Sequence, residues 1–193
     1  MAEEKKHKFE SCIKECLDTM YRVALRLTKD HEKAEDLVAD SVLSAWKNFT
    51  SLKEEKKFKP WILRIITNTY ISGYRHKKSY PDPINFGQIA EDENGDDFSL
   101  FEALASPFLL WQQNPEKMFV NNLLKQDIIK ALESLPDQYR IVVTLCELES
   151  LSYQEVAKML NLPIGTARSR LSRGRSMLQK QLWNWAKEKG YRL

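Results

Sequence analysis

The feature that most constrains this chain is an acidic segment that separates two basic regions with helical patterning. Residues 79–116 contain eight Asp or Glu and no Lys or Arg, although the whole 193-residue chain has a net charge of +3. Prolines and an Asn-Gly pair interrupt this segment, whereas both flanks show helical periodicity and no strand alternation. We therefore expect an all-α protein in which two small helical domains, 1–79 and 116–193, are joined by a long acidic linker at 80–115. Two basic domains are typical of a protein that contacts a polyanion, and the alternative is chance clustering on a solvated surface.

Composition excludes several classes of protein. With 42% hydrophobic and 30% charged residues, the chain can bury a core. It has no run of 18 apolar residues and it begins with charged residues, so we expect neither a transmembrane span nor a signal peptide, and a cytoplasmic location. An odd count of three cysteines argues against a disulfide framework. Cys12 and Cys16 lie four apart near His7, which leaves a metal or redox pair open, although buried thiols in an amphipathic helix are the simpler interpretation.

A first amphipathic helix is predicted between Ala34 and Phe49, because apolar or small residues recur there every three to four positions. The positions expected to face inward are Leu37, Val38, Val42, Ala45 and Trp46. The opposite face carries four carboxylates, which are Glu32, Glu35, Asp36 and Asp40. Such a cluster could bind a divalent cation, although no His joins it, or it could be a solvated face. We favour a docking surface for a basic partner.

A lysine-rich loop precedes a second helix, whose first turn holds Pro60. One side of this helix is predicted to be lined by Trp61, Ile62, Ile65, Ile66 and Thr69. Another side presents Arg64, Asn68, Ser72 and Arg75. Arginine neutralises phosphates, asparagine reads base edges and aromatic rings stack on unpaired bases, so the pattern indicates a surface for nucleic acid, including single strands. The alternative is that the aromatic residues only fill the core, and for Trp46 and Trp61 we expect a core position.

The C-terminal region has the pattern of a helix-turn-helix. Ser152 followed by Glu155 is a capping-box signature, and the expected inward positions after it are Val156, Ala157 and Leu160. The residues 161–163 break this helix, and a second helix starts around Gly165-Thr166. Its predicted buried stripe is Ala167, Leu171, Gly174 and Leu178. The other face presents small polar residues between arginines, a combination suited to the major groove of duplex DNA, with Arg170 and Arg175 placed for phosphate contacts. The alternative is a helical hairpin with a solvated basic helix.

These residues carry a family resemblance. The run from Leu135-Pro136 through Arg140, Leu151-Ser152-Tyr153-Gln154-Glu155-Val156-Ala157 and Gly165-Thr166-Ala167-Arg168-Ser169-Arg170-Leu171 resembles the C-terminal domain of bacterial RNA polymerase sigma factors. The extracytoplasmic-function (ECF) group is the most similar. Independently, Ala34-Glu35-Asp36-Leu37-Val38 and Phe58-Lys59-Pro60-Trp61-Ile62 resemble the N-terminal, promoter-melting domain of that group. The two blocks occur in the family's order and together span nearly the whole chain.

The resemblance implies a role for each region. In the family the acidic helix docks on the clamp helices of the largest polymerase subunit, and the matching residues are Glu35, Asp36, Asp40 and Trp46. The lysine-rich loop, around residues 48–57, and the helix after it hold the −10 non-template strand and a flipped base. The residues matching that role are Lys56, Lys57, Trp61, Arg64, Asn68 and Arg75. The second helix of the C-terminal motif reads the −35 element, with matching residues Thr166, Arg168, Ser169, Arg170, Ser172 and Arg173.

The family also suggests partners and a path for the linker. In sigma factors the linker follows the RNA path of the polymerase, where eight acids could mimic RNA. We expect a sigma factor that binds core RNA polymerase and promoter DNA, is held in check by an anti-sigma factor, and needs no cofactor, metal or membrane insertion. It should have no enzymatic activity of its own. Two other classes stay open: a stand-alone helix-turn-helix regulator, and a metal-dependent nuclease that uses Glu32, Glu35, Asp36 and Asp40.

Overall fold

The computed structural model describes residues 2–77 and 127–188. Within these two ranges every regular element is helical and no strand occurs, which confirms the all-α prediction. The contacts divide the described residues into two compact units, 2–77 with 155–162 and 127–154 with 163–188. The predicted linker at 80–115 and both predicted domain boundaries lie outside the described residues. Of the helices described, none is long and apolar enough to cross a membrane.

Three helices that all contact one another form the N-terminal part of the chain: α1 (Ala2–Thr28), α2 (His31–Asn48) and α3 (Phe58–Lys77). Two short 3₁₀ turns, Phe49–Ser51 and Glu55–Lys57, connect α2 to α3. Each helix contributes fully buried apolar side chains to the core, which are Met20, Val23 and Leu27 from α1, Ala34 and Ala45 from α2, and Ile62, Leu63 and Ile66 from α3.

The break between α1 and α2 is set by two residues. Lys29 takes a left-handed conformation with φ of 59°, and its N–H donates to the Leu25 carbonyl at 2.8 Å, which closes the end of α1. Asp30 is the N-cap of α2 and accepts hydrogen bonds from the backbone N–H of Lys33 at 3.1 Å and from its Nζ at 2.8 Å. These bonds hold the pKa of the Asp30 carboxyl below its usual value. The tight junction starts α2 at a fixed register and so determines which of its residues face outward.

An aromatic cluster holds the lysine-rich loop in place. Phe9 of α1 meets Trp46 and Phe49 edge-on, with ring centroids 5.1 Å apart in both pairs. Phe49 and Phe58 lie 6.2 Å apart, and Phe58 lies 5.6 Å from Trp61. Offset and edge-to-face ring pairs are stabilising beyond the area that they bury. Since the loop at 50–57 runs between two rings of this cluster, both of its ends are fixed by the core.

In the C-terminal part the structure describes a helical segment at 127–134 (α4) and then α5 (Asp137–Val143), which runs into a π-helical turn at Thr144–Leu148. The helices α6 (Tyr153–Leu160) and α7 (Ile164–Glu188) follow. α7 packs against α5 and is tied to α4 by a 2.7 Å hydrogen bond between Ser134 and Gln181. α5 and α7 approach each other closely at Gly174, where an added Cβ would lie 2.5 Å from a methyl group of Val143.

Arg140 is expected to be the most sensitive polar position of α5. Its side chain is buried, with Nη1 donating to the Leu135 carbonyl at 2.8 Å and Nη2 to Asp137 at 2.7 Å. Arg140→Ala leaves a cavity and strands both acceptors, so we expect a loss of about 3 kcal/mol in the free energy of unfolding. Urea titration of the full chain measures it, with Lys130→Ala on the exposed side of α4 as the control. Equal free energies of unfolding for the two variants would contradict a stabilising role of the buried Arg140 side chain.

Candidate nucleic-acid and partner-binding surfaces

The acidic face predicted on the first helix lies on the exposed side of α2. Glu32, Glu35, Asp36 and Asp40 are all exposed, while the buried side consists of Ala34, Leu37, Val38, Ser41 and Ala45. The Ser41 hydroxyl donates to the Leu37 carbonyl at 2.6 Å, which satisfies the buried polar group in this stripe. Among the residues that the structure describes, no three His, Cys, Asp or Glu side chains are grouped to hold a metal ion.

Two apolar side chains extend this acidic face. Trp46 was predicted to face inward, but 38% of it is exposed, although the Phe9 ring meets it edge-on. The Nζ of Lys5 lies 5.1 Å from the same ring. Leu43, which the sequence did not single out, is 61% exposed and follows Asp36 and Asp40 at helical spacing. The exposed side of α2 therefore combines carboxylates with an apolar end, and we call Asp36, Asp40, Leu43 and Trp46 the α2 face.

The lysine-rich loop borders an open cavity of about 290 Å³ next to α1. Its lining from the loop is Phe49, Thr50, Leu52, Lys53 and Glu55, and its lining from α1 is Glu4, Lys5 and Lys8. Lys56 and Lys57 are both exposed, and Lys57 bonds Glu54 at 2.8 Å. The lining combines the Phe49 ring and three lysines with two carboxylates, and Lys8 pairs with Glu55 at 2.8 Å. Its aromatic and cationic groups are compatible with an unstacked base attached to a phosphate backbone.

A larger cavity, of about 710 Å³, includes Cys12 and Cys16 in its lining. Neither thiol forms a disulfide and both are half-buried, so the expectation of buried thiols in an amphipathic helix is only partly met. Burial and the nearby Glu15 carboxylate raise the pKa of the Cys12 thiol, which disfavours its reactive thiolate form.

The buried side of α3 is rotated about the helix axis relative to the predicted apolar side. The buried side is Ile62, Leu63, Ile66 and Thr67. Of the side predicted to be lined by Trp61, Ile62, Ile65, Ile66 and Thr69, Ile62 and Ile66 are buried and the other three are half-buried, so this prediction is only partly met. Thr67 is tolerated inside because its hydroxyl donates to the Leu63 carbonyl at 2.8 Å.

The polar side of α3 is exposed as a continuous row. Arg64, Asn68 and Ser72 are exposed and follow one another at four-residue spacing, with Trp61 half-buried beside them. The side chain of Arg75 lies outside the described residues. The row thus presents a cation, an amide and an aromatic edge on one side of the helix.

The helix-turn-helix pattern is present as α6, a three-residue turn and α7. α6 begins directly after Ser152, so this residue occupies the predicted N-cap position. At its end Asn161 has φ of 55°, and the Leu162 N–H donates to the Ala157 carbonyl at 2.8 Å, which is a Schellman-type termination. Val156 and Ala157 are buried as predicted, but Met159 is buried instead of Leu160.

The predicted recognition face lies on the exposed side of α7. The expected buried stripe is confirmed, because Ala167, Leu171, Gly174 and Leu178 are all buried. Opposite it, Arg168 is exposed and Thr166, Ser169, Ser172 and Arg173 are half-exposed. The guanidinium of Arg168 lies 5.0 Å from the centre of the Tyr153 ring and donates to its hydroxyl at 3.2 Å. This contact holds the arginine at the start of the face, next to short polar side chains.

Two arginines assigned to phosphate contacts serve the fold instead. Arg170 is only 5% exposed, because it lies three residues after Ala167 and directly before Leu171, on the buried stripe. Burial lowers the pKa of its guanidinium. Arg175 pairs with Glu147, with Nε and Nη2 at 2.8 and 2.6 Å from the same carboxylate oxygen. The assignment of Arg170 to the −35 element is therefore wrong in this structure, since only 5% of the residue is exposed.

Comparison with known families identifies both parts of the chain. A family model described as Sigma-70 region 2 matches residues 12–80, and one described as Sigma-70, region 4 matches residues 125–178. The ECF RNA polymerase sigma factor SigW of Bacillus subtilis is 32% identical over 165 residues, which cover 86% of this chain and 83% of SigW. The ECF RNA polymerase sigma factor SigE of Mycolicibacterium smegmatis is 29% identical, over 90% of this chain and 61% of SigE.

Solved structures share the fold. The sigma factor RpoE of Bartonella quintana, solved in complex with the anti-sigma factor NepR, superposes with a TM-score of 0.61 at 24% identity and covers 90% of this chain and 96% of RpoE. CnrH, solved in complex with the cytosolic domain of CnrY, gives a TM-score of 0.55 at 16% identity, over 90% of this chain and 86% of CnrH.

Proposed function

Because this chain belongs to the ECF RNA polymerase sigma factors, we propose that it gives core polymerase its promoter specificity by reading a −35 duplex and a −10 non-template strand. Sigma factors direct transcription initiation. The observation that carries the proposal is the identity to SigW across both units, 32% over 165 residues, combined with exposed polar faces at the matching positions. The protein has no catalytic step of its own and acts in the cytoplasm on the polymerase.

The −35 element is read by α7. Thr166, Arg168, Ser169, Ser172 and Arg173 reach the surface on one side of this helix. Short serines let the helix backbone approach the floor of the major groove, while arginine side chains can donate two hydrogen bonds to a guanine edge. Arg170 is removed from this set because its side chain is buried, and the remaining five residues form what we call the α7 reading face.

Arg173→Ala is expected to weaken binding to the preferred −35 sequence by about 1–3 kcal/mol and to relax the preference at one base pair, because it removes a bidentate hydrogen bond to a base. The measurement is competition between matched and mutated −35 duplexes for the holoenzyme. Arg173→Lys is the matched control, since it keeps the positive charge and lacks the planar guanidinium that can donate two parallel hydrogen bonds. This variant should keep most of its overall affinity for DNA and lose more of its preference for the matched base pair. A preference unchanged in Arg173→Ala would exclude this residue from base reading.

The −10 strand is held by the loop and α3. Lys56 and Lys57 supply cations on the loop, and Trp61, Arg64 and Asn68 lie on the exposed or half-exposed side of α3. The cavity of about 290 Å³ beside the loop suits one base flipped out of the stack. Arg75 stays in this proposal on the family resemblance alone.

Core polymerase is bound by the α2 face, with Glu35 beside it. Its carboxylates are exposed and its Leu43 and Trp46 provide apolar area, a combination that fits a basic amphipathic helix of the partner. An anti-sigma factor is a further partner, since RpoE and CnrH were solved with NepR and CnrY respectively.

The proposal is tested by reconstitution. The purified chain is mixed with core RNA polymerase of Bacillus subtilis, the source of SigW, and the holoenzyme then selects duplexes from a randomised pool. We expect co-elution with core, and a footprint on the selected duplexes that requires core and includes an opened −10 region. A tight footprint by the chain alone would instead indicate a stand-alone regulator, and magnesium-dependent cleavage would indicate a nuclease.

A further inference from the structure

The helix α7 continues beyond the part of the chain that the region 4 family matches. The match ends at residue 178, whereas α7 runs to Glu188. The ten residues from Gln179 onward add about 15 Å of helix. They carry Lys180, Trp183 and Lys187, all of which are exposed, and the proposed function gives none of them a role.

These three side chains lie on the same side of α7 as the reading face. At 100° per residue, Lys180, Trp183 and Lys187 continue the row that contains Ser172 and Ser176. The opposite side is the buried stripe that packs on α5. One exposed surface therefore runs along the whole helix, and we call its last part, Lys180, Trp183 and Lys187, the α7 extension.

The charge on this helix is predominantly positive. From Ile164 to Glu188 the sequence contains six Lys or Arg and one acidic residue, Glu188 at the end of the helix. Arg170 is buried and Arg175 is paired with Glu147, so the cations that remain are Arg168, Arg173, Lys180 and Lys187. All four lie on the exposed side of the helix. The Nζ of Lys187 also lies 5.9 Å from the centre of the Trp183 ring, which favours an ammonium held against this surface.

The length of α7 places its reading face and the α7 extension at different features of DNA. From Arg168 to Ser176 the helix rises about 12 Å, which equals the width of the major groove. Lys180 then lies about 6 Å beyond Ser176, and Lys187 about 17 Å beyond it. A side chain past the groove edge on the DNA-facing side meets sugar and phosphate, and lysine is a general phosphate ligand without base preference.

Resting on the proposed function, we propose that the α7 extension binds the sugar–phosphate backbone that flanks the −35 element. Lys180 and Lys187 neutralise phosphates, and the Trp183 ring, with its indole N–H, packs at the backbone between them. DNA fits this surface better than a protein does, because the charged side chains described on it are lysines and arginines, and Trp183 is its one large exposed apolar side chain among the described residues.

The test uses the full chain in holoenzyme with Bacillus subtilis core, and a duplex selected by the wild-type holoenzyme as the probe. Lys180→Gln/Lys187→Gln is expected to lower affinity about tenfold at physiological salt, equally for matched and mutated −35 sequences. The slope of log affinity against log salt should fall by about two, one for each phosphate that is no longer neutralised. Hydroxyl-radical protection next to the −35 element should also disappear.

The control is Lys14→Gln/Lys130→Gln, which removes two exposed lysines from α1 and α4 and should leave the salt slope unchanged. A salt slope in Lys180→Gln/Lys187→Gln equal to that of wild type would overturn the proposal. A variant that loses core binding while its DNA affinity keeps the wild-type salt dependence would also overturn it, because the α7 extension would then be a protein contact. Failure of the proposed function is a separate result, since the wild-type chain would then give no core-dependent footprint at all.

Discussion

Gly174→Val is expected to destabilise the chain by at least about 3 kcal/mol, a large part of the 5–15 kcal/mol that stabilises a typical domain. Even alanine would place its Cβ 2.5 Å from Cγ2 of Val143 and 3.5 Å from Cβ of Tyr139. Val143 is 1% exposed and β-branched, so it has no free rotamer into which to withdraw. The better helix propensity of alanine offsets the clash by only about 1 kcal/mol. Overpacking therefore outweighs propensity at this position.

Urea unfolding of the full chain measures this effect, and Gly165→Ala is the matched control. Gly165 lies in the first turn of the same helix with open space around its Cα, so alanine there should be neutral or stabilising by up to about 1 kcal/mol. A second variant identifies the contact: Val143→Ala in the Gly174→Ala background should recover part of the stability. If Gly174→Ala were as stable as Gly165→Ala, α5 and α7 would not approach as closely as described.

The buried stripe of α7 was predictable from sequence because local periodicity decides it. Ala167, Leu171, Gly174 and Leu178 recur at three- and four-residue spacing, and no other element is needed to see which side is apolar. The break at Asn161 was also readable, since asparagine tolerates the left-handed conformation that ends α6. Exposed polar faces are therefore predictable where they lie opposite such a stripe.

Residue type is a poor guide to a site where it conflicts with helical position. Arginine suits phosphates, and on that ground Arg170 was expected to contact DNA, although its place between Ala167 and Leu171 puts it on the buried side of α7. The same spacing argument applied strictly would have excluded it.

Other errors depend on neighbours that a sequence does not reveal. Trp46 meets Phe9, from a distant part of the sequence, edge-on and stays 38% exposed. The orientation of α3 depends on how α1 and α2 pack against it, and a hydroxyl-to-backbone bond makes Thr67 acceptable inside. Leu43 was missed for a related reason. Single exposed leucines are common on protein surfaces, and only the position of Leu43 beside Asp36 and Asp40 indicates that it belongs to a docking surface.

Asp36→Lys/Asp40→Lys is expected to weaken binding to core RNA polymerase about 100-fold, equivalent to about 2.7 kcal/mol, while the fold stays intact. Both carboxylates are exposed on α2 and neither is needed by the buried side of the helix. Reversal removes two attractions to a basic partner and adds two repulsions, so the association rate should fall and the residual affinity should improve at high salt. Titration of labelled core with each variant at two salt concentrations measures the affinity, and circular dichroism checks the fold.

Glu10→Lys/Asp18→Lys is the matched control, because it makes the same change in net charge on exposed positions of α1. If this control weakened core binding as much as the α2 variant, overall charge and not the α2 face would account for the weakening. If the α2 variant bound core normally, the acidic side of α2 would be a solvated surface, and the docking site would have to be sought elsewhere on the chain. The α2 face also includes an apolar side chain, so Leu43→Ala should weaken core binding as well. That loss should persist at high salt, because apolar contacts are not screened by ions.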